Sequence, residues 1–379
     1  MSQELSSAEL RRYSRHLSLT EIGVAGQQRL KAARLLIIGA GGLGSPAALY
    51  LAAAGVGTVG LVDFDLVDES NLQRQVLYDT ASIGAPKTAV ARARLEALNP
   101  AIRVVAHQLE LCAANVAQLF KDYDLVIDGS DRIGTRYLVN DACVLYGKPL
   151  ISAAIHRFEG QAMTYVPGQG PCYRCLFPAM GEGMVPNCAE VGVLGVLPGV
   201  LGTIAATEAI KLIVGAGAPL IGRLLTYDAL ELRFNEFRFA RRADCAVCGE
   251  HPSIAAPADP PGFCTLEELR RVRGISPLQL AQALASAPAA LTPISLIDVR
   301  EPDEFETGHL PRAINIPLAQ IEQSGQRLPR DHTVVFICRS GSRSLKACAL
   351  ARRAGLEQPL QLEGGLLAWK AAVEPSLPL

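Results

Sequence analysis

The sequence lacks an excess of charge of either sign. Its 379 residues include 36 Lys and Arg against 37 Asp and Glu, a formal net charge of −1 at pH 7. This balance provides no overall basic field for binding nucleic acid or an anionic membrane, so we expect neither as a direct partner. Charged residues make up only 19% of the chain and hydrophobic residues 49%, which excludes extensive disorder. The length favours two or three domains.

The chain also lacks a recognisable secretory signal. Its first residues, MSQELSSAELRRYSRH, contain no apolar segment behind a positive end. We therefore expect a cytoplasmic protein, in which thiols stay reduced. The ten cysteines are interpreted as metal ligands, nucleophiles or core residues.

No uninterrupted apolar segment predicts a membrane helix. The stretch from Leu35 to Val62 carries no charge and is long enough to span a bilayer, but repeated glycines and Pro46 interrupt it. A strand over Arg34–Ile38, a glycine turn, a helix over Ser45–Ala54 and a strand over Val59–Val62 explain it better. Both strands are apolar, as expected where helices cover both faces of a parallel sheet.

Alternating helices and strands continue along the chain and predict an α/β protein. A helix over Lys87–Leu98 and strands over Arg103–Ala106 and Leu125–Ile127 indicate a doubly wound, Rossmann-like first domain, residues 1–250. Its later part contains a helix over Thr207–Val214. A Pro-rich linker, residues 251–274, leads to a smaller α/β domain, residues 275–379. The elements expected there are strands Ser295–Val299 and Thr333–Ile337 and helices Leu278–Ser286 and Ser342–Arg353.

A glycine-rich turn predicts a nucleotide site. Residues 39–44 match G-x-G-x-x-G between a strand and a helix, and Asp63 at the end of the next strand could accept hydrogen bonds from ribose hydroxyls. These features fit an NAD-dependent oxidoreductase equally well. Arg74 and Lys87 add two cations that hydride transfer does not need, whereas attack on an α-phosphate does. Asp131, just beyond a strand end, is a candidate magnesium ligand.

Five motifs of the first domain resemble those of the E1-like adenylyltransferases that activate sulfur-carrier proteins. They are GAGGLGS (39–45), VDFD (62–65), SNLQRQ (70–75), GAPK (84–87) and DGSDRIGTRYLVN (128–140). The resemblance implies that ATP adenylates the C-terminal glycine carboxylate of a small ubiquitin-like carrier ending in Gly-Gly. It also implies a homodimer, in which Arg15 reaches the partner subunit's site.

The same resemblance implies roles for individual residues. Arg74 and Asp131 would be catalytic, with Asp131 serving Mg²⁺. Contacts to the nucleotide and its phosphates are implied for Gly42, Asp63, Ser70, Asn71, Arg74, Lys87, Asp131 and Arg132.

Two cysteine pairs predict a structural zinc site. Cys172 and Cys175 form one C-x-x-C turn, and Cys245 and Cys248 form the other. Two such turns complete a tetrahedron of thiolates and leave no open position, although a redox pair or buried thiols are alternatives.

Cys188 stands alone, either as a nucleophile that takes the acyl group or sulfur, or as a small buried thiol.

The loop CRSGSRS (338–344) predicts a reactive cysteine in the second domain. Cys338 follows an apolar strand and precedes a helix, and Arg339 and Arg343 flank it. Backbone N–H groups at a helix N-terminus and nearby cations stabilise a thiolate. Cysteine phosphatases use C-x5-R, one residue longer than the C-x4-R spacing here, so the loop suits a persulfide.

The second domain resembles the rhodanese family through LIDVRE (296–301), GHLPRAIN (308–315), the CRSGSRS loop and GGLLAW (364–369). The resemblance implies a sulfurtransferase that carries sulfur on Cys338. Structural roles, as a strand-end salt bridge and loop hydrogen bonds, are expected for Asp298, Arg300, His309 and Asn315.

Together these features predict an enzyme that adenylates a sulfur carrier and then transfers sulfur to it as a thiocarboxylate. The sulfur donor would be thiosulfate or a persulfide. The alternatives are an NAD-dependent oxidoreductase, a scaffold that docks a ubiquitin-like protein without turnover, and an E1 enzyme that passes its carrier to a lysine.

Overall fold

The computed structural model describes residues 4–178, 192–259, 264, 266–286, 294–324 and 328–379. The chain forms two compact units, Met1–Pro260 and Pro261–Leu379.

An eight-stranded sheet forms the centre of the first unit, with the strand order β3-β2-β1-β4-β5-β6-β7-β8. The first five strands in this order pair in parallel, and β5 to β8 pair antiparallel. The strands are β1 (Arg34–Ile38), β2 (Thr58–Val62), β3 (Arg103–His107), β4 (Leu125–Asp128), β5 (Leu150–His156), β6 (Glu159–Tyr165), β7 (Arg223–Asp228) and β8 (Arg233–Arg238).

Helices cover both faces of this sheet. They are α1 (Ser7–Arg12), α2 (Ser14–Leu17), α3 (Gly23–Ala32), α4 (Gly44–Ala54), α5 (Lys87–Leu98), α6 (Ala113–Phe120), α7 (Ile133–Leu145), α8 (Tyr173–Leu176) and α9 (Leu197–Val214). The predicted parallel strands and α5 are confirmed. The helix predicted over Thr207–Val214 begins earlier, at Leu197.

Helix α9 is long and apolar enough to cross a membrane, and it is the single such helix among the described residues. It packs against α4 and the sheet, and Leu197, Leu201, Ala205 and Ala209 are buried there. The apolar residues of α9 are therefore explained by its packing in the core of an α/β domain.

The second unit contains a five-stranded parallel sheet of order β11-β10-β12-β13-β9. Its strands are β9 (Arg273–Ile275), β10 (Ile294–Asp298), β11 (Ile314–Asn315), β12 (Thr333–Ile337) and β13 (Leu360–Leu362). Its helices are α10 (Leu266–Arg270), α11 (Pro277–Ser286), α12 (Pro302–Thr307), α13 (Leu318–Ser324), α14 (Ser342–Arg353) and α15 (Gly365–Ala372).

Alternate residues of the central strand face two cores. Val334 and Phe336 pack in one core, and Val335 and Ile337 in the other. Residues 266–274, predicted to lie in the linker, form α10 and most of β9, which pairs with β13. These residues therefore belong to the second unit.

Candidate functional site

Loops following β1, β2 and β4 meet at the carboxyl edge of the first sheet. Gly39 has a φ of +87°, and a Cβ atom added to it would lie 3.1 Å from the carbonyl oxygen of Gly129. At Gly44, an added Cβ would lie 1.9 Å from the carbonyl oxygen of Gly39. Both positions require glycine, which keeps the loop tight at the N-terminus of α4 and open to an anion.

Asp63 fixes the glycine loop to the end of β2. Its Oδ2 accepts a hydrogen bond of 2.9 Å from the Ala40 N–H, and its Oδ1 accepts one of 2.8 Å from the Asp65 N–H. Burial raises the pKa of Asp63, whereas the nearby Lys87 ammonium acts in the opposite direction. This placement beside the loop suits contact with a ribose.

Lys87 is buried and paired. Its Nζ lies 2.9 Å from Oδ2 of Asp65, whose side chain is 49% exposed. The backbone N–H of Lys87 also donates to the Asp65 carbonyl, at 3.0 Å. Asp65, which lies within the VDFD motif but is not among the predicted site residues, therefore fixes the position of the Lys87 ammonium.

Arg74 lies against the glycine loop. Its Nη1 donates to the Ser70 carbonyl at 3.1 Å, and the Ser70 N–H donates to Oδ1 of Asp68 at 2.8 Å. A Cβ added to Gly42 would lie 3.7 Å from Arg74 Cδ and 3.1 Å from Pro198. Asn71 Nδ2 donates to Ser70 Oγ in the same turn. The structure thus brings Gly42, Ser70, Asn71 and Arg74 together.

The segment after β4 contributes two carboxylates of different character. Asp128 is buried, and its Oδ1 accepts hydrogen bonds from the N–H and Oγ of Ser130, at 3.0 and 2.6 Å. Its Oδ2 has no hydrogen-bond partner among the described residues, and burial raises its pKa. Asp131 is exposed. Asp128 is not among the predicted site residues, although its place at the end of β4 within DGSD is a signal that could have indicated it.

Two arginines predicted to bind nucleotide differ in surroundings. Arg132 donates to Glu110 at 2.6 Å, and its guanidinium lies 4.6 Å from the centre of the Phe64 ring. It therefore borders the Asp63 loop. Arg15, in α2, is exposed and forms no hydrogen bond or ion pair within the described parts of the chain, so its predicted role across a dimer stays a prediction.

The four predicted metal ligands converge in one cluster. The Sγ atoms of Cys172 and Cys245 are 3.7 Å apart, those of Cys175 and Cys248 are 3.4 Å apart, and all four lie within 4.8 Å of one another. Zinc–sulfur bonds of about 2.3 Å in a tetrahedron separate sulfurs by about 3.8 Å, so the cluster fits zinc. Burial and neighbouring thiols raise the pKa of Cys172, and a divalent cation would offset that cost.

Helix α7 connects this cluster to the loop that follows β4. Near its C-terminus, Asn140 Oδ1 accepts from the Tyr173 N–H at 2.8 Å, and Asp141 forms a bidentate ion pair with Arg174 at 2.7 and 2.8 Å. Near its start, Arg136 donates to the Ser130 carbonyl at 2.7 Å. Cys188 lies outside the described residues, so its predicted role is not tested.

Cys338 lies where β12 ends, in a loop whose N–H groups point at its sulfur. The side chain is buried, and Sγ accepts from the N–H groups of Gly341 at 3.1 Å and Ser344 at 3.3 Å. Gly341 has a φ of +95° and precedes α14, which allows the chain to turn around the sulfur. This geometry stabilises a thiolate or a persulfide.

The arginines around Cys338 are not equivalent. Arg339 is exposed, whereas Arg343 forms a bidentate ion pair with Glu304 on α12, at 2.6 and 2.7 Å.

The structural roles predicted for four other residues of the second domain are confirmed. Asp298 and Arg300 form a buried bidentate pair, and Asn315 donates to two backbone carbonyls. The His309 ring forms a hydrogen bond of 2.9 Å between its Nδ1 and the Phe305 carbonyl oxygen, and it also stacks on the Phe305 ring.

These sites define a class of protein that joins a nucleotide-binding α/β domain with a four-cysteine cluster to a domain that carries a cysteine loop. The model of the ThiF family matches residues 13–247, and that of the rhodanese-like domain matches residues 276–372. The chain therefore belongs to the ThiF family and carries a rhodanese-like domain. This confirms the resemblances and the α/β fold class inferred from the sequence.

Known proteins are similar to this chain over all or part of its length. The chain is 46% identical to the probable adenylyltransferase/sulfurtransferase MoeZ of Mycobacterium tuberculosis, over 98% of this chain and 96% of the relative. It is 51% identical to the sulfur carrier protein adenylyltransferase of Thermus thermophilus, over 68% of this chain and 97% of the relative. The crystal structure of E. coli MccB with ATP matches with a TM-score of 0.56 and 26% identity, over 62% of this chain and 74% of that chain.

Proposed function

We propose that this protein is an adenylyltransferase and sulfurtransferase that converts the C-terminal glycine carboxylate of a small ubiquitin-like sulfur carrier into a thiocarboxylate. The main observation that supports this function is that one chain contains both a glycine loop suited to a nucleotide and a Cys338 loop whose N–H groups can stabilise a thiolate. The near full-length match to a relative named adenylyltransferase/sulfurtransferase supports the same function over an NAD-dependent oxidoreductase.

The first reaction activates the carboxylate, which is a poor electrophile. A carboxylate oxygen of the carrier attacks the α-phosphorus of ATP, the bond to the bridging oxygen breaks, and pyrophosphate leaves with the electron pair. Lys87 and Arg74 stabilise the charge that develops on the phosphoryl oxygens. Gly42 leaves room for the phosphates, and Asp63 accepts hydrogen bonds from the ribose.

Mg²⁺ would neutralise charge on the triphosphate during this reaction. We assign its binding to Asp131, with Asp128 beside it. The unpartnered Oδ2 of Asp128 supports a ligand at this edge of the sheet. We assign the remaining contacts to the nucleotide to Ser70, Asn71 and Arg132. Arg15 would complete the site from the second subunit of a homodimer.

The zinc proposed at the four-cysteine cluster has a structural role. All four ligands would be cysteine thiolates, from Cys172, Cys175, Cys245 and Cys248. This set leaves no position on the ion for a reacting water. The ion would join segments distant in sequence and hold α8 against α7.

The second reaction transfers sulfur. A persulfide on Cys338 attacks the acyl carbon of the adenylate, and AMP leaves. A thiol then cleaves the S–S bond of the acyl disulfide and releases the thiocarboxylate. This thiol is either Cys188 or an external thiol, which is available in the cytoplasm, the compartment we propose, and the disulfide left on Cys338 is then reduced by a further external thiol.

Carrier-dependent exchange of pyrophosphate into ATP tests the first reaction. We expect the wild-type protein to catalyse exchange only when a carrier ending in Gly-Gly and Mg²⁺ are present, and Arg74→Ala to lose it. A scaffold that docks the carrier without turnover would show no exchange. Exchange that persists unchanged in Arg74→Ala would contradict the assigned role of this arginine.

A further inference from the structure

The ion pair between Arg343 and Glu304 changes the charge that the Cys338 loop presents to a sulfur donor. Arg343 directly precedes Ser344, whose N–H donates to Cys338 Sγ at 3.3 Å, so it belongs to the rim of the loop. Thiosulfate, a dianion, would gain from a second cation at this rim. Both side chains of the pair remain 29% exposed, so a small ion in solvent can reach them.

Glu304 is held in place for this contact. Its two carboxylate oxygens accept from Nη1 and Nη2 of Arg343, at 2.6 and 2.7 Å. The Glu301 N–H also donates to Glu304 Oε2, at 3.2 Å, as part of a capping box at the start of α12. Arg343 lowers the pKa of Glu304, so the carboxylate stays charged at neutral pH. A bidentate pair of this kind fixes the guanidinium in one orientation.

We propose that Glu304 is a specificity-determining residue of the Cys338 site, which weakens the binding of small dianionic sulfur donors by holding Arg343. The inference rests on the sulfur-transfer function proposed above and names the residue that sets donor preference. It predicts that the natural loop favours donors with less negative charge at the reacting end than thiosulfate has.

The transfer itself needs no further reactant. The Cys338 thiolate attacks the outer sulfur of thiosulfate, the S–S bond of thiosulfate breaks, and sulfite leaves with the bonding electron pair. Methanethiosulfonate, a monoanion, reacts in the same way and releases methanesulfinate. The two donors differ by one negative charge and share the transferred sulfur, so their comparison isolates the electrostatic effect.

The test is a steady-state assay of the full-length protein with cyanide as acceptor and thiocyanate as product. We expect Glu304→Gln to lower KM for thiosulfate about twofold to fivefold, the range expected for one partly exposed ion pair. KM for methanethiosulfonate should fall less, and kcat should change little with either donor. The gain should shrink at high ionic strength and should disappear when Arg343→Ala is added.

Asp303→Asn provides a matched control. Asp303 neighbours Glu304 on α12 and loses the same charge, but it is exposed and does not pair with Arg343. An equal fall in KM in this variant would show a general charge effect and overturn the proposal. An unchanged or raised KM for thiosulfate in a folded Glu304→Gln protein would overturn it as well. Failure of the wild-type protein to use either donor would instead contradict the sulfur-transfer function.

Discussion

The ammonium group of Lys87 lies 2.9 Å from the carboxylate of Asp65, and the Lys87 side chain is buried. A buried cation needs a partner, and Asp65 provides one while its own side chain stays half-exposed. A triphosphate that reaches the loop would meet an ammonium already fixed in position. This pair therefore links the stability of the site to its charge complementarity.

Replacing Lys87 tests the electrostatic part of the account. We expect Lys87→Met to lower carrier-dependent pyrophosphate release by about 10²-fold to 10³-fold, because a donor to the developing phosphoryl charge is lost. Lys121→Met, at an exposed lysine in the same domain, should retain wild-type rates. A Lys87→Met rate within about twofold of wild type would show that this cation does not act on the phosphates.

Asp128 predicts a specific dependence of stability on pH. Burial raises the pKa of this carboxyl in the folded state, so the folded protein holds its proton more tightly than the unfolded chain does. This group stabilises the folded state at pH values below its pKa in the unfolded chain, which is about 3.9. The stabilisation is lost as the pH rises through the raised pKa of Asp128 in the folded protein. Relative to Asp128→Asn, the wild-type melting temperature should therefore fall as pH rises from about 4 to 7. The same difference at every pH would contradict the assignment of this titration to Asp128.

The cysteine cluster predicts one bound zinc per chain. We expect metal analysis of the purified protein to find about one equivalent, and Cys175→Ser to lose most of it and to melt at a lower temperature. Cys112→Ser, outside the cluster, should keep the metal. Less than about half an equivalent in the wild-type protein would count heavily against the site.

The ion pair between Asp141 on α7 and Arg174, which lies within the first C-x-x-C turn, predicts that this contact stabilises α7. Asp141→Asn should lower the melting temperature of the first unit by several degrees, because a partly buried bidentate pair is broken. Zinc content should remain near one equivalent, since Asp141 binds no metal in this account. Loss of zinc together with stability would instead place Asp141 among the groups that retain the ion.

Local patterns in the sequence predicted those parts of the fold that depend on neighbours along the chain. The glycine loop, the apolar parallel strands and the two C-x-x-C turns each carry their signal within a few residues. The antiparallel half was not predicted, because strands such as Arg233–Arg238 are exposed along their whole length and lack a continuous apolar pattern. The start of α9 was missed because glycine and proline in its first turns resemble a loop.

Side-chain partners from distant segments could not be predicted in the same way. Glu304 and Arg343 are 39 positions apart, and their contact depends on how α12 packs beside the Cys338 loop. The sequence suggested that Arg343 offers its charge to an anion; the structure shows that a carboxylate already binds it. Asp65 was likewise within a recognised motif, but its pairing with Lys87 requires the folded loop.

The most direct test of the whole account is the mass of the carrier after incubation with the protein, ATP, Mg²⁺, thiosulfate and a reducing thiol. With the wild-type protein, the terminal –OH of the carrier should be replaced by –SH. In Cys338→Ala this replacement should vanish while pyrophosphate release continues. A thiocarboxylate formed at the wild-type rate by Cys338→Ala would contradict the claim that sulfur reaches the activated carrier from this cysteine.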